Sequence, residues 1–117
     1  MKKAYYARPM SIYHSPCEDR DVDLIRTLGF EPIDINKEEL QMAARAFGMQ
    51  VFEPLVLEAK ALFFRSFPDG SIGAGVAQEI AWAIGAGIPV VEIPRQIARR
   101  TLSVEDTREM LRELGQR

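Results

Sequence analysis

Between Asp69 and Pro94 the chain reads DGSIGAGVAQEIAWAIGAGIPVVEIP, a segment that few folds accept. A glycine-rich turn (Gly70, Gly73, Gly75) leads into a nearly all-apolar helix expected from about Val76. That helix closes at Gly87, and Ile88 to Ile93 reads as a buried strand. Just upstream, Ala61 to Arg65 (ALFFR) is strand-like and too short to be a helix. Strand, glycine turn, apolar helix and apolar strand in succession is the pattern of a parallel crossover, which needs a sheet with helices on its faces. One carboxylate, Glu79, stands on the helix among Ala77, Ile80, Ala81 and Ile84. A charge in that setting is a costly choice for packing alone.

The rest of the chain continues the alternation. Ala4 to Ala7 reads as a first strand ended by Arg8-Pro9. Val22, Leu24, Ile25 and Leu28 lie on a helical repeat over Glu18 to Leu28, with Gly29 as its stop. Phe30 to Ile35 is a second strand, and Asn36 with Glu39 has the spacing of a capping box for a helix over Lys37 to Phe47. Gly48 breaks that helix, Gln50 to Lys60 forms a short one that tolerates Pro54 near its start, and Ser103 caps a closing helix. In that last helix Val104, Met110, Leu111 and Leu114 are the apolar positions. The expectation is a single α/β domain over 1–117, a flavodoxin/Rossmann-like three-layer fold with a four- or five-stranded, mainly parallel sheet. Ligands of such sheets bind beyond the carboxyl ends of the strands. Arg8 to Tyr13, Arg65 to Gly75 with the next helix start, and Glu92 to Arg95 are expected to meet there.

Charge and composition narrow the function. A net charge of −2 gives no electrostatic footprint for a nucleic-acid polymer or an anionic membrane surface. Arg95, Arg99 and Arg100 read as a solvated helix face, and no apolar run approaches the roughly 20 residues of a membrane span. Cys17 and His14 are the sole members of their types, so neither a disulfide nor a cysteine- or histidine-rich metal site is expected. Without a signal-peptide pattern the reading is cytoplasmic. Gly73-Ala74-Gly75-Val76-Ala77-Gln78 lacks the third glycine of the dinucleotide fingerprint, and no lysine-serine or lysine-threonine pair marks a P-loop. No cofactor is expected.

At this point the chain resembles the nucleoside 2-deoxyribosyltransferase-like family, which includes deoxynucleotide N-glycoside hydrolases. The likeness starts at AYYARPM, similar to the family's opening strand and loop, and passes through a helix ending LGF and the strand ALFFRSF. It ends on Gly70-Ser71, Glu79, Ala83, Gly87 and Pro89-Val90, with ten residues from Glu79 to Pro89. The resemblance implies cleavage or transfer of the N-glycosidic bond of a nucleoside or nucleoside 5′-monophosphate, with Glu79 as nucleophile and Glu53 as the second carboxylate, ahead of Glu58 and Asp69. It implies that Ser71, Gly73 and Gly75 cradle a sugar hydroxyl or phosphate, and that Tyr6, Arg8 and Met10 line the sugar. It further implies a homodimer or higher homo-oligomer. Three departures accompany it: two extra residues between Gly75 and Glu79, Lys60 where the family has an aspartate, and Arg8 where it has a glycine. These motivate an alternative, a non-catalytic nucleotide-binding or sensing module of the same fold.

Competing readings stand beside these. Glu79 as a first-turn carboxylate would simply favour the positive end of its helix. Arg8 and Arg65 would suit either a substrate phosphate or salt bridges at strand ends, and Asp69 with Gly70 makes an ordinary turn. Tyr5 and Tyr6 alternate across their strand, so one is expected to face the core and the other to reach the site. His14 and Cys17 are expected to be bystanders, and Trp82 and Phe63-Phe64 to be core or subunit-interface residues.

Overall fold

Four strands pair in the order β2-β1-β3-β4, and every pairing is parallel. The computed structural model describes residues 1–94 and 102–116. The strands are β1 (Lys2–Ala7), β2 (Phe30–Pro32), β3 (Ala61–Phe64) and β4 (Val90–Glu92). The helices are α1 (Pro16–Thr27), α2 (Glu38–Phe47), α3 (Glu53–Glu58), α4 (Ala74–Gly85) and α5 (Val104–Glu113), with short 3-10 turns at Met10–Ile12 and Met49–Phe52. The α/β class and the three-layer arrangement are those expected of the sequence. The strand expected over Phe30 to Ile35 pairs only over its first half.

The two central strands carry the core. Ala4 to Ala7 and Ala61 to Phe64 are buried throughout, as unbroken apolar runs must be when a parallel sheet is covered on both faces. The pleat sorts their side chains. Tyr5, Ala7, Leu62 and Phe64 enter one cluster with Ile35, Phe52, Val56, Val76 and Ala83, from the α2–α4 side. Ala4, Tyr6, Ala61 and Phe63 enter the other with Ile25 and Ile93, joined on the α1 side by Val22 and Leu24. Phe30 and Phe63 meet edge-on there, with ring centroids 5.5 Å apart.

Two expectations change. The strand predicted as buried over Ile88 to Ile93 is the short sheet edge β4, with Val91 and Glu92 exposed and Ile93 buried beyond it. An edge strand has a neighbour on one side alone, so its apolar run does not guarantee burial. The capping box also fails to form: the N-cap of α2 is Lys37, without a side-chain cap, and the Asn36 side chain lies one residue outside it, donating from Nδ2 to Glu18 at 3.5 Å. The Asn36 backbone N–H donates to Asp34 Oδ1 at 2.9 Å, and Asn36 Oδ1 is buried without a partner among the described residues.

Ser103 caps α5 as expected, accepting from the Asp106 N–H at 3.0 Å, and α1 starts at Pro16, ahead of the expected Glu18, where Ser15 caps it by accepting from the Glu18 N–H. Gly87, at φ +72°, ends α4 where a side chain would be strained. Trp82 is half-buried against the first cluster, while Ile84 on the same helix is exposed. On α5, Val104, Met110 and Leu114 are exposed and Leu111 is half-buried. The basic cluster at Arg95, Arg99 and Arg100 lies outside the described residues. Among the described residues, no helix is long and apolar enough to cross a membrane.

Candidate functional site

Helix α4 begins two residues earlier than expected, at Ala74, which places Glu79 in its second turn. No acidic residue occupies the first turn, so the macrodipole reading of Glu79 loses its basis. Val76, Glu79 and Ala83 are the buried positions of α4, a three- and four-residue spacing that turns one helix face onto the sheet. Glu79 is therefore a carboxylate at a core position, 5% exposed.

Its partner comes from β1. The buried Tyr5 hydroxyl donates to Glu79 Oε2. Burial pushes the Glu79 carboxyl up to about 7, against the pull of the Tyr5 hydrogen bond and of the Arg8 charge. Burial and the adjacent carboxylate hold the Tyr5 hydroxyl protonated well above the usual phenol range, so it stays a donor. Near neutral pH the pair therefore holds either a carboxylate or a carboxylic acid at little cost in either direction.

Glu79 forms part of the wall of a cavity of about 560 Å³ beyond the carboxyl end of β1. The β1 loop contributes Arg8, Pro9, Met10, Ser11 and Tyr13; α2 and the turn after it contribute Gln41, Ala44, Arg45, Met49 and Phe52. Gly73 and Gly75 complete it at the start of α4, with Phe67. A Cβ at Gly73 would stand 3.2 Å from a Phe67 ring carbon, closer than ordinary contact, whereas one at Gly75 would meet Met49 Cε at an ordinary 3.4 Å. Most of the wall is apolar, with few polar groups converging, which is the usual make-up of a small-molecule site.

Arg8 is buried and holds a carboxylate and a carbonyl. Its Nε donates to Glu18 Oε2 at 3.0 Å and its Nη1 to the Tyr6 carbonyl at 2.8 Å. Its guanidinium lies over the Tyr6 and Tyr13 rings, 4.5 and 4.8 Å from their centroids. The Glu18 carboxylate also accepts from the backbone N–H of His14, which adopts φ +60°. Gln41 Nε2 donates to the Ile35 carbonyl at 2.8 Å and fixes the α2 wall.

Of the residues expected at the site, Glu79, Arg8, Met10, Gly73 and Gly75 line this cavity. Tyr6 does not: the pleat turns it to the α1 face, where its hydroxyl donates to Asp21. Arg65 follows the same alternation and pairs with Asp21 through two N–H groups, Nε donating at 2.9 Å. The two guanidinium groups, read as suiting either a phosphate or salt bridges at strand ends, are thus separated, and each makes a salt bridge. Asp69 and Ser71 are exposed and close a local turn, Asp69 Oδ1 accepting from the Ser71 N–H at 2.9 Å and from its hydroxyl at 2.6 Å. Gly70 in that turn sits at φ +89°. Glu53 is half-buried at the start of α3 and does not line the cavity, where Glu79 is the sole carboxylate among the described residues.

Gln41, Arg45 and Met49 were not singled out from the sequence, and Tyr5 was read only as one of two alternating tyrosines, either of which could reach the site. The period-two alternation did carry a signal for Tyr5, since it assigns Tyr5 and Tyr6 to opposite faces. Choosing the face required the helix positions. Among the described residues, no three His, Cys, Asp or Glu side chains converge on a metal position. No family model matches the chain, and no curated protein or solved structure matches it.

Proposed function

We propose that this protein cleaves or transfers the N-glycosidic bond of a nucleoside or nucleoside 5′-monophosphate, with Glu79 as the nucleophile. The observation that carries the reading is a buried carboxylate on a cavity wall, held by a tyrosine hydroxyl and poised near neutral pH. In this mechanism the Glu79 carboxylate attacks the anomeric carbon, the C–N bond breaks, and its electron pair leaves with the base. Water or a second base then resolves the glycosyl ester. Tyr5 positions the carboxylate, and the apolar wall with Met49 and Phe52 receives the base or sugar face. With no second carboxylate on the wall among the described residues, the departing base takes its proton from solvent, so turnover falls steeply for bases that leave poorly. The same reading carries a cytoplasmic homo-oligomer, with Ile84 on α4, 65% exposed, as an apolar point of contact.

The missing second acid specifically favours one other reading, a nucleotide-binding or sensing module that has kept the cavity without the reaction. Retaining chemistry normally sets a second carboxyl group about 5–5.5 Å from the nucleophile. Base release from a panel of deoxynucleosides and their 5′-monophosphates, wild type against Glu79→Gln, separates the two. Release that the variant loses, and that rises to a plateau as pH passes through about 7, supports the glycosidic reading. No release from any member, alongside ligand-induced thermal shifts, supports the binding module.

A further inference from the structure

A second cavity, of about 570 Å³, opens on the α1 side of the same sheet edge. It is separated from the Glu79 cavity by the β1 loop, and Pro9, Ser11 and Phe67 belong to both walls. Cys17, Arg20, Asp21 and Leu24 face it from α1, a spacing of three, four and seven residues that defines one helix stripe. Arg65 faces it from the end of β3, and Ile93 and Pro94 from the end of β4. This is where the loops after β1, β3 and β4 meet.

The Asp21 carboxylate is saturated. It accepts from the Tyr6 hydroxyl and from Nε and Nη2 of Arg65, with the Cys17 thiol 4.0 Å away. Arg65 is not saturated. Its Nε–Nη2 edge is spent on Asp21, while Nη1 has no partner among the described residues. The Nη1–Nη2 edge is thus left with N–H donors in the fork that matches a carboxylate or phosphate oxygen pair. Arg20, exposed on the same stripe, has no hydrogen bond or ion pair among the described residues. Together the lining carries one positive charge in excess, beside the apolar surface of Leu24, Phe67 and Ile93.

We infer that this cavity is a second binding site, for a small organic oxyanion: a carboxylate or phosphate monoester on an apolar body, received by the free edge of Arg65 and by Arg20. Asp21 and Tyr6 hold the Arg65 guanidinium in place, so little side-chain order is lost on binding. The site is independent of the chemistry at Glu79.

Phenyl phosphate, with benzyl alcohol as its neutral counterpart, tests this by calorimetry and by the rate at which iodoacetamide alkylates Cys17. Phenyl phosphate is expected to bind saturably and to slow alkylation about tenfold at saturation, because Cys17 lies in the same wall. Arg20→Gln and Arg65→Lys each weaken it by about tenfold, the loss of a charge-assisted hydrogen bond. Lysine keeps the charge opposite Asp21 and so preserves the fold, which circular dichroism checks. Glu79→Gln leaves the protection of Cys17 unchanged. The inference is overturned by the absence of saturable binding, by equal binding of benzyl alcohol, by binding that leaves alkylation unaltered, or by full affinity in both arginine variants.

Discussion

Replacing Glu79 with glutamine isolates the energetic consequence of placing a carboxylate at a core position of α4. Glutamine has nearly the same shape and still offers an oxygen to the Tyr5 hydroxyl, but it cannot ionise. In the unfolded chain the Glu79 carboxyl titrates near its ordinary 4.5, and in the fold burial raises it to about 7. Below pH 4.5 both states hold the proton and the carboxyl costs nothing extra. Between these values the unfolded chain has released a proton that the folded one keeps, so stability falls as pH rises. Above pH 7 the loss levels off at about 3 kcal/mol, taken at 1.36 kcal/mol per pH unit. Urea unfolding followed by the single tryptophan, Trp82, gives the stability difference between wild type and Glu79→Gln at each pH. Relative to wild type, the variant is expected to gain about 3 kcal/mol between pH 4 and pH 9, whatever their difference at pH 4. A difference that stays flat, or that moves against the variant as pH rises, would refute the reasoning. It would mean that Tyr5 and Arg8 fully offset the desolvation of the carboxylate.

Other perturbations test the neighbouring contacts. Tyr5→Phe removes the donor to Glu79, so the apparent midpoint of the pH dependence should move above 7, and stability at pH 9 should drop by about 1–3 kcal/mol. Asp21→Ala leaves the Arg65 charge and the Tyr6 hydroxyl without their acceptor, and urea unfolding should show a loss of about 3–5 kcal/mol. Leu62→Ala, at a fully buried position on the central strand, should cost about 2–5 kcal/mol, read as a lower unfolding midpoint with an unchanged m-value.

Local chemistry carries much of the fold. Continuous apolar runs at Ala4–Ala7 and Ala61–Phe64, helical repeats between them and glycines at helix ends are signals written in adjacent residues, and the parallel sheet follows. Elsewhere the signals failed. Asn36 has the spacing of a capping residue, yet Lys37 is the N-cap of α2, and the Asn36 side chain, one residue outside it, donates to Glu18, eighteen positions away. Ile88 to Ile93 has the composition of a buried strand, yet its place at the sheet edge leaves Val91 and Glu92 in solvent. Composition reports how apolar a strand is; the order of the strands decides how much of it is covered.

The candidate site divides along the same line. Glu79, Gly73 and Gly75 could be picked out from the chain alone, because a lone carboxylate on an apolar helix and a glycine turn before it are local features, while Arg8 and Met10 were expected there through the family resemblance. Tertiary structure alone decided which tyrosine meets that carboxylate, since the pleat sends Tyr5 and Tyr6 to opposite faces and the helices determine what each face holds. It also separated Arg8 from Arg65, giving one to Glu18 and the other to Asp21. A side chain's type is a property of its own position, whereas its electrostatic partner is a property of the packing. That is why the sequence by itself determined a parallel α/β sheet and a carboxylate worth testing, and why the second cavity became visible only once α1 lay against β3.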